Sequence, residues 1–117
     1  YAPGYGPGTR LISWSMAKSI TSTLVGFLVA DGRLELDTPA PVPEWKGDAR
    51  GKTTLRQLLH MASGVRHVEA GPAPEKADTN RALFADTSAD IYKAAVAEPY
   101  EVPPGTRFQY NTLTTHI

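Results

Sequence analysis

Ser15-Met16-Ala17-Lys18, running on through Ser19 to Ala30 and closing at Asp31-Gly32, is the stretch whose reading decides the fold. Met16, Ile20, Leu24, Phe27 and Leu28 recur at helical spacing, and the other face is small and hydroxylated (Ala17, Ser19, Thr21, Ser22). That pattern predicts a buried helix over Met16–Ala30 that packs on several sides, with Gly32 as its left-handed cap. Ser15 and Lys18 stand three residues apart, so a helix points them from one face, a turn from each other. A serine hydroxyl is a poor nucleophile at neutral pH and needs a base within hydrogen-bond reach. A lysine serves as that base when burial or a neighbouring charge tunes it, and the first turn of a buried helix supplies proximity and desolvation together. Alone the pair says little. With six Ser and five Lys in the chain, chance gives such a spacing roughly a quarter of the time.

Outward from this helix the punctuation is clear. Tyr1–Thr9 carries three Gly and two Pro and reads as an irregular approach, and Arg10–Trp14 as a strand end or turn. Beyond Gly32, prolines at 39, 41 and 43 forbid a helix and impose an extended surface path. Gly47–Lys52 reads as a polar loop. Thr53 or Thr54 caps a short helix over Leu55–Ala62, with Leu55, Leu58, Leu59 and Ala62 on one face, and Ser63-Gly64 stops it. Val65–Asn80 lacks periodicity and reads as a long loop in which Glu69, Glu75 and Asp78 meet solvent. A further helix is expected over Ser88–Glu98, capped by Thr87 or Ser88, with Ile91, Ala94 and Ala95 inward. Pro99, Pro103, Pro104 and Gly105 break it, and Arg107–Tyr110 is a short extended piece.

The bulk properties exclude several classes. Twelve basic and twelve acidic residues leave no net charge, which argues against nucleic acid or an anionic membrane as partner. An apolar fraction of 41% supports one small core. The absence of cysteine removes disulfides and thiolate metal sites. The longest apolar run, Leu24–Ala30, is far short of a membrane span. The chain starts at Tyr1 and stops at Ile117 directly after a motif, so it reads as a piece of a longer protein; compartment and oligomeric state stay open.

Four segments then stop being independent: Ser15-Met16-Ala17-Lys18, Leu34-Glu35-Leu36-Asp37-Thr38-Pro39, Thr54–Gly64 (Thr-Leu-Arg-Gln-Leu-Leu-His-Met-Ala-Ser-Gly) and Pro104–Asn111 (Pro-Gly-Thr-Arg-Phe-Gln-Tyr-Asn). Their order and spacing resemble the serine hydrolases related to class C β-lactamases and D-alanyl-D-alanine carboxypeptidases. The Ser13-Trp14-Ser15 and Tyr110-Asn111-Thr112 contexts look most like the branch that contains 6-aminohexanoate-dimer hydrolase and esterases. The resemblance implies an α/β fold, a sheet flanked by helices plus a helical region. Residues 1–117 would be a partial domain, mostly helical, holding the nucleophile helix and the tyrosine motif without the C-terminal strands.

It also implies an acyl-transfer site that needs neither metal nor organic cofactor. Ser15 matches the nucleophile, Lys18 the lysine that helps deprotonate it, and Tyr110 the tyrosine that shares general acid/base duty. Tyrosine and lysine both titrate near pH 10 in water, so a base at pH 7 requires tuning, and the protons belong to the coupled group. The Ser15 N–H, at a helix start, is placed to donate to an oxyanion. Asn111 and Thr112 are the substrate-binding candidates. Thr112 stands where the family often shows asparagine, which favours a small amide or ester substrate over a β-lactam. The Lys/His-x-Gly strand motif of the family does not occur in the chain.

The alternatives are concrete. Ser15 alone also reads as an N-cap or buried hydroxyl, Lys18 as a snorkelling surface lysine, and Tyr110 as a core aromatic with a satisfied hydroxyl. His60, His67 and His116 lack metal-ligand spacing and read as structural or solvent-exposed. Trp14 and Trp45 read as packing anchors. At the level of function, a D,D-peptidase or β-lactamase is the rival enzyme, and a non-catalytic homologue used for binding is the rival from another class.

Overall fold

A computed structural model of the chain describes residues 1–85 and 89–117. Among the described residues are four α-helices: α1 (Ala17–Ala30), α2 (Leu55–Leu59), α3 (Asp78–Phe84) and α4 (Ile91–Ala97). They are joined by 3₁₀ turns at Trp14–Met16, Pro43–Trp45, Ala49–Lys52, Pro74–Lys76 and Leu113–His116. Among the described residues there is no strand, only two antiparallel bridges, Pro39 with Thr54 and Val65 with Tyr100. The mostly helical content agrees with expectation, while the flanked sheet has no counterpart in these residues.

The core is small and is centred on Trp45, not on α1. Val42, Trp45, Leu58, Val65 and Val96 form one cluster; Ala82, Ala95 and Leu113 form a second, and Ile117 packs against both. Trp45, 1% exposed, donates its indole N–H to the Val96 carbonyl at 2.9 Å. Arg50 Nη1 donates to the Val96 and Glu98 carbonyls at 2.9 and 2.7 Å, satisfying orphan acceptors at the end of α4 while Asp48 holds its guanidinium. The proline-rich path is therefore not wholly superficial, because it delivers Val42 and Trp45 inward.

Helix α1 ends as its sequence predicts. Gly32 has φ +68°, Arg33 N–H donates to the Leu28 carbonyl and Gly32 N–H to that of Val29, a Schellman closure. Its burial does not follow expectation. Ile20 is 65% and Phe27 62% exposed, Met16 and Leu24 face solvent as well, and no residue of α1 is buried. The face turned toward the rest of the chain is instead Lys18, Thr21, Val25 and Leu28, each half-buried. The radius of gyration, 16.0 Å, exceeds the roughly 13 Å of a closed domain of this length, consistent with a helix packed on one side only. The periodicity identified an apolar face correctly, but nothing in these residues covers it.

Other expectations shift by smaller amounts. Helix α2 starts with the capping box Thr54–Gln57 but ends at Leu59, because Met61 adopts φ +55°. The stretch read as a loop over Val65–Asn80 contains the Pro74–Lys76 turn and the start of α3. Asp78 is 3% exposed, not solvating; its carboxylate accepts from Val68 N–H at 2.8 Å and pairs with Arg66 and Arg81. Asp90 caps α4 by accepting from Lys93 N–H; the caps expected at Thr87 or Ser88 lie outside the described residues. Along Arg107–Tyr110, Phe108 and Tyr110 face out and Gln109 faces in.

A corner at Gly64 ties the segment that leads to Tyr110 to the end of α2. Gly64, at φ +80°, accepts from Glu101 and Val102 N–H; Gly105 N–H donates to Ala62 O, and Gln109 N–H to Met61 O. A Cβ on Gly64 would sit 2.2 Å from the Val102 carbonyl oxygen, so only glycine permits this approach. The Ser63-Gly64 stop signal thus sets where Tyr110 can reach.

Candidate active site

Ser15 lies inside the 3₁₀ turn that feeds α1, directly after Trp14, whose φ of +46° is a rare conformation for a bulky residue. Its side chain is exposed and makes no capping bond; the cap position is Ser13. Lys18 donates from Nζ to Ser15 Oγ at 3.1 Å, as the helical spacing requires. From the far end of the chain Tyr110 donates its hydroxyl to the same oxygen at 2.7 Å. The lysine ammonium also stands 5.1 Å from the centroid of the Tyr110 ring.

Lys18, one turn away, and Tyr110, 95 positions on, therefore converge on one oxygen. Tyr110 is not a core aromatic: it is 38% exposed and spends its hydroxyl on Ser15. Lys18 does not snorkel, since its nitrogen bonds two partners in the site. The desolvation expected of a buried first turn is absent, because Ser15 is exposed and Lys18 only half-buried. What remains is charge and hydrogen bonding. The hydrogen bond with Ser15 and then the neighbouring Lys18 ammonium hold the Tyr110 phenol below its ordinary value, against the opposing effect of burial.

Thr112 is also brought in. Its hydroxyl accepts from Lys18 Nζ at 3.2 Å and donates to Glu69 Oε1 at 2.6 Å, while its backbone N–H donates to Glu69 Oε2 at 2.8 Å. Asn111 is not presented to a ligand: it is 2% exposed, and its Oδ1 accepts from Thr114 N–H at 2.9 Å.

Glu69 and His67 were not legible as site residues. Glu69 does not simply solvate a loop; it is half-buried, and its carboxylate receives Thr112 twice and His67 Nε2 at 2.7 Å. Burial pushes its pKa up, but the Thr112, His67 and Thr79 hydrogen bonds together outweigh this and hold it below the ordinary carboxylate value. His67 is 4% exposed, with Nε2 also 3.2 Å from Thr79 Oγ1, and its carbonyl accepts from Gln109 Nε2. The one available signal was alternation, since residues 67 and 69 share a side of an extended chain. His116, near Lys18, is held below its ordinary value by desolvation and by the lysine charge.

A cleft of about 570 Å³ opens over this group, walled by Ser15, Lys18, Glu69 and Thr112 on its polar side and by Trp14 and Phe84 on its apolar side. Trp14 is thus a wall residue, 66% exposed, and not a packing anchor; Trp45 is the anchor. Among the described residues no group of three or more His, Asp or Glu could hold a metal ion, and no helix is long and apolar enough to cross a membrane.

The family described as Beta-lactamase matches this chain over residues 2–117, and the chain belongs to that family. The 6-aminohexanoate-dimer hydrolase of Paenarthrobacter ureafaciens is 28% identical over the whole of this chain. The chain spans 32% of the length of that relative.

Proposed function

We propose that this chain carries the nucleophilic part of a serine hydrolase acting on a small amide or ester through an acyl-enzyme on Ser15. The observation that supports it is the pair of contacts on Ser15 Oγ, from Tyr110 at 2.7 Å and Lys18 at 3.1 Å. In the reactive form Tyr110 is a phenolate beside the Lys18 ammonium and accepts from the Ser15 hydroxyl; Ser15 Oγ then attacks the substrate carbonyl carbon while its proton passes to the phenolate oxygen. The tetrahedral adduct collapses, the C–N or C–O bond breaks, and the same pair returns the proton to the leaving amine or alcohol. Water then attacks the acyl carbon, gives up its proton to the pair, and Ser15 is released with the carboxylic acid product. The depressed phenol of Tyr110 suits it to the receiving role at lower pH than a free tyrosine. The Ser15 N–H, in the turn before α1, is available to one side of the developing oxyanion.

Two observations, the relative and Thr112, support this substrate class. The similar 6-aminohexanoate-dimer hydrolase is named for hydrolysis of a 6-aminohexanoate dimer. Thr112 offers a single hydroxyl, already bonded to Lys18 and Glu69, which favours an unstrained amide or ester over β-lactam recognition. Initial rates of the intact protein on p-nitrophenyl esters, a linear amide dimer and a chromogenic cephalosporin test this. Hydrolysis of the first two, abolished in Ser15→Ala, is the expected result; turnover of the cephalosporin alone contradicts it.

A further inference from the structure

Glu69 is linked to Ser15 Oγ through three hydrogen bonds in series, by way of Thr112 and Lys18, and its own hydrogen bonds have only one possible sense. A carboxylate accepts and cannot donate. With Oε1 at 2.6 Å from Thr112 Oγ1, the threonine proton is committed to Glu69. The threonine oxygen is then left as an acceptor, and Lys18 Nζ at 3.2 Å donates into it. One ammonium N–H is thereby spent on Thr112, which directs another toward Ser15 Oγ at 3.1 Å. The second carboxylate oxygen takes Thr112 N–H and His67 Nε2, so Glu69 cannot swing away without losing both. His67 is itself buried and anchored by Gln109 through its carbonyl, one residue before Tyr110.

We infer that Glu69 is a positioning residue for the Ser15 reaction, fixing through the Thr112 hydroxyl the direction in which Lys18 points its N–H groups. This rests on the serine hydrolase reading above. The half-burial of Glu69 and its lowered pKa are consistent with a carboxylate kept ionised for this purpose. The other titratable groups facing Lys18 are Tyr110 and His116, and neither bonds to Thr112.

Glu69→Gln tests it, because an amide has one acceptor and one donor end. However it turns, one of the two Thr112 bonds is lost or reversed. Thr112→Val removes the hydroxyl relay but keeps the backbone N–H to Glu69, which separates relaying from anchoring. In the intact protein, the rate of Ser15 modification by a fluorophosphonate probe is expected to fall about tenfold in each variant and about tenfold, not a hundredfold, in the double variant. Thr112→Ser, which returns the hydroxyl, recovers most of the labelling rate lost in Thr112→Val. On a p-nitrophenyl ester the loss falls on kcat with KM unchanged. A Glu69→Gln protein labelled at the starting rate, a silent Thr112→Val, or losses that multiply in the double variant each overturn the inference. Should Glu69→Gln fail to fold, the Thr112→Val and Thr112→Ser pair decides it alone. Should Ser15 resist the probe in the unmodified protein, the hydrolase reading fails. The Lys18 side-chain nitrogen resonance then decides the relay, which must move in both Glu69→Gln and Thr112→Val.

Discussion

Tyr110 Oη stands 2.7 Å from Ser15 Oγ although 95 residues separate them. That contact exists because two unrelated pieces of local structure aim at one point. The turn before α1 presents Ser15, and the Gly64 corner suspends the segment carrying Tyr110. Removing the phenol hydroxyl should therefore remove chemistry and little else. Tyr110→Phe is expected to slow Ser15 acylation by about 10²- to 10⁴-fold, the range of general acid–base catalysis, measured as ester hydrolysis. Because the residue is partly exposed, the unfolding free energy should change by less than about 1 kcal/mol.

The same contact predicts a pH dependence. The phenol of Tyr110 is held below its ordinary value, and in the proposed mechanism its deprotonated form serves as the base. The rising limb of the pH–rate profile should thus lie below the pH at which a free tyrosine titrates, and Tyr110→Phe should lose that limb. A limb that persists unchanged in the phenylalanine variant assigns the base elsewhere.

Gly64 tests the corner. An alanine there must hold φ near +80° and place its Cβ 2.2 Å from the Val102 carbonyl oxygen. Gly64→Ala should cost about 2–4 kcal/mol in denaturant unfolding and also depress Ser15 labelling, since Tyr110 hangs from this corner. Gly71→Ala is the control. A Cβ at Gly71 meets nothing within 4 Å, and stability should stay within about 0.5 kcal/mol.

Trp45→Ala should be among the most damaging core changes, at about 3–5 kcal/mol. It leaves a cavity between Val42, Leu58 and Val96 and strips the Val96 carbonyl of one of its two donors. The midpoint of chemical unfolding reads this directly.

Glu69 couples stability to acid. Its folded pKa lies below the ordinary value, so the unfolded state takes up its proton first as pH falls. The stability it contributes is fully present above about pH 4.5, the unfolded value, and is lost as pH drops through the folded one. Equilibrium unfolding between pH 3 and 6 should show the unmodified protein losing an advantage over Glu69→Gln across that window. A pH-independent gap would contradict it.

Much of the local structure was written in short-range signals. The Schellman end at Gly32, the Thr54–Gln57 capping box and the breaks at Gly64 and Pro103 all act within a turn of themselves. Ser15, Lys18 and Tyr110 were legible by resemblance, and the helical spacing of the first two by geometry. Burial was not legible. Met16, Ile20, Leu24 and Phe27 have the period of a core face, but period says which residues share a side, not what lies opposite. Glu69 and Asp78 were misread for a related reason. Thr112 comes from another segment, Arg66 and His67 pair with Asp78 across the stretch itself, and an unperiodic, Ala- and Pro-rich sequence gives no sign of either kind of contact.

We propose Ser15 as a nucleophile activated by Lys18 and Tyr110. Intact-mass measurement after treatment with a fluorophosphonate probe tests it most directly. A single adduct that maps to Ser15, and that disappears in Ser15→Ala, is the predicted result. No adduct at high probe concentration, or an adduct that persists in Ser15→Ala, would contradict it.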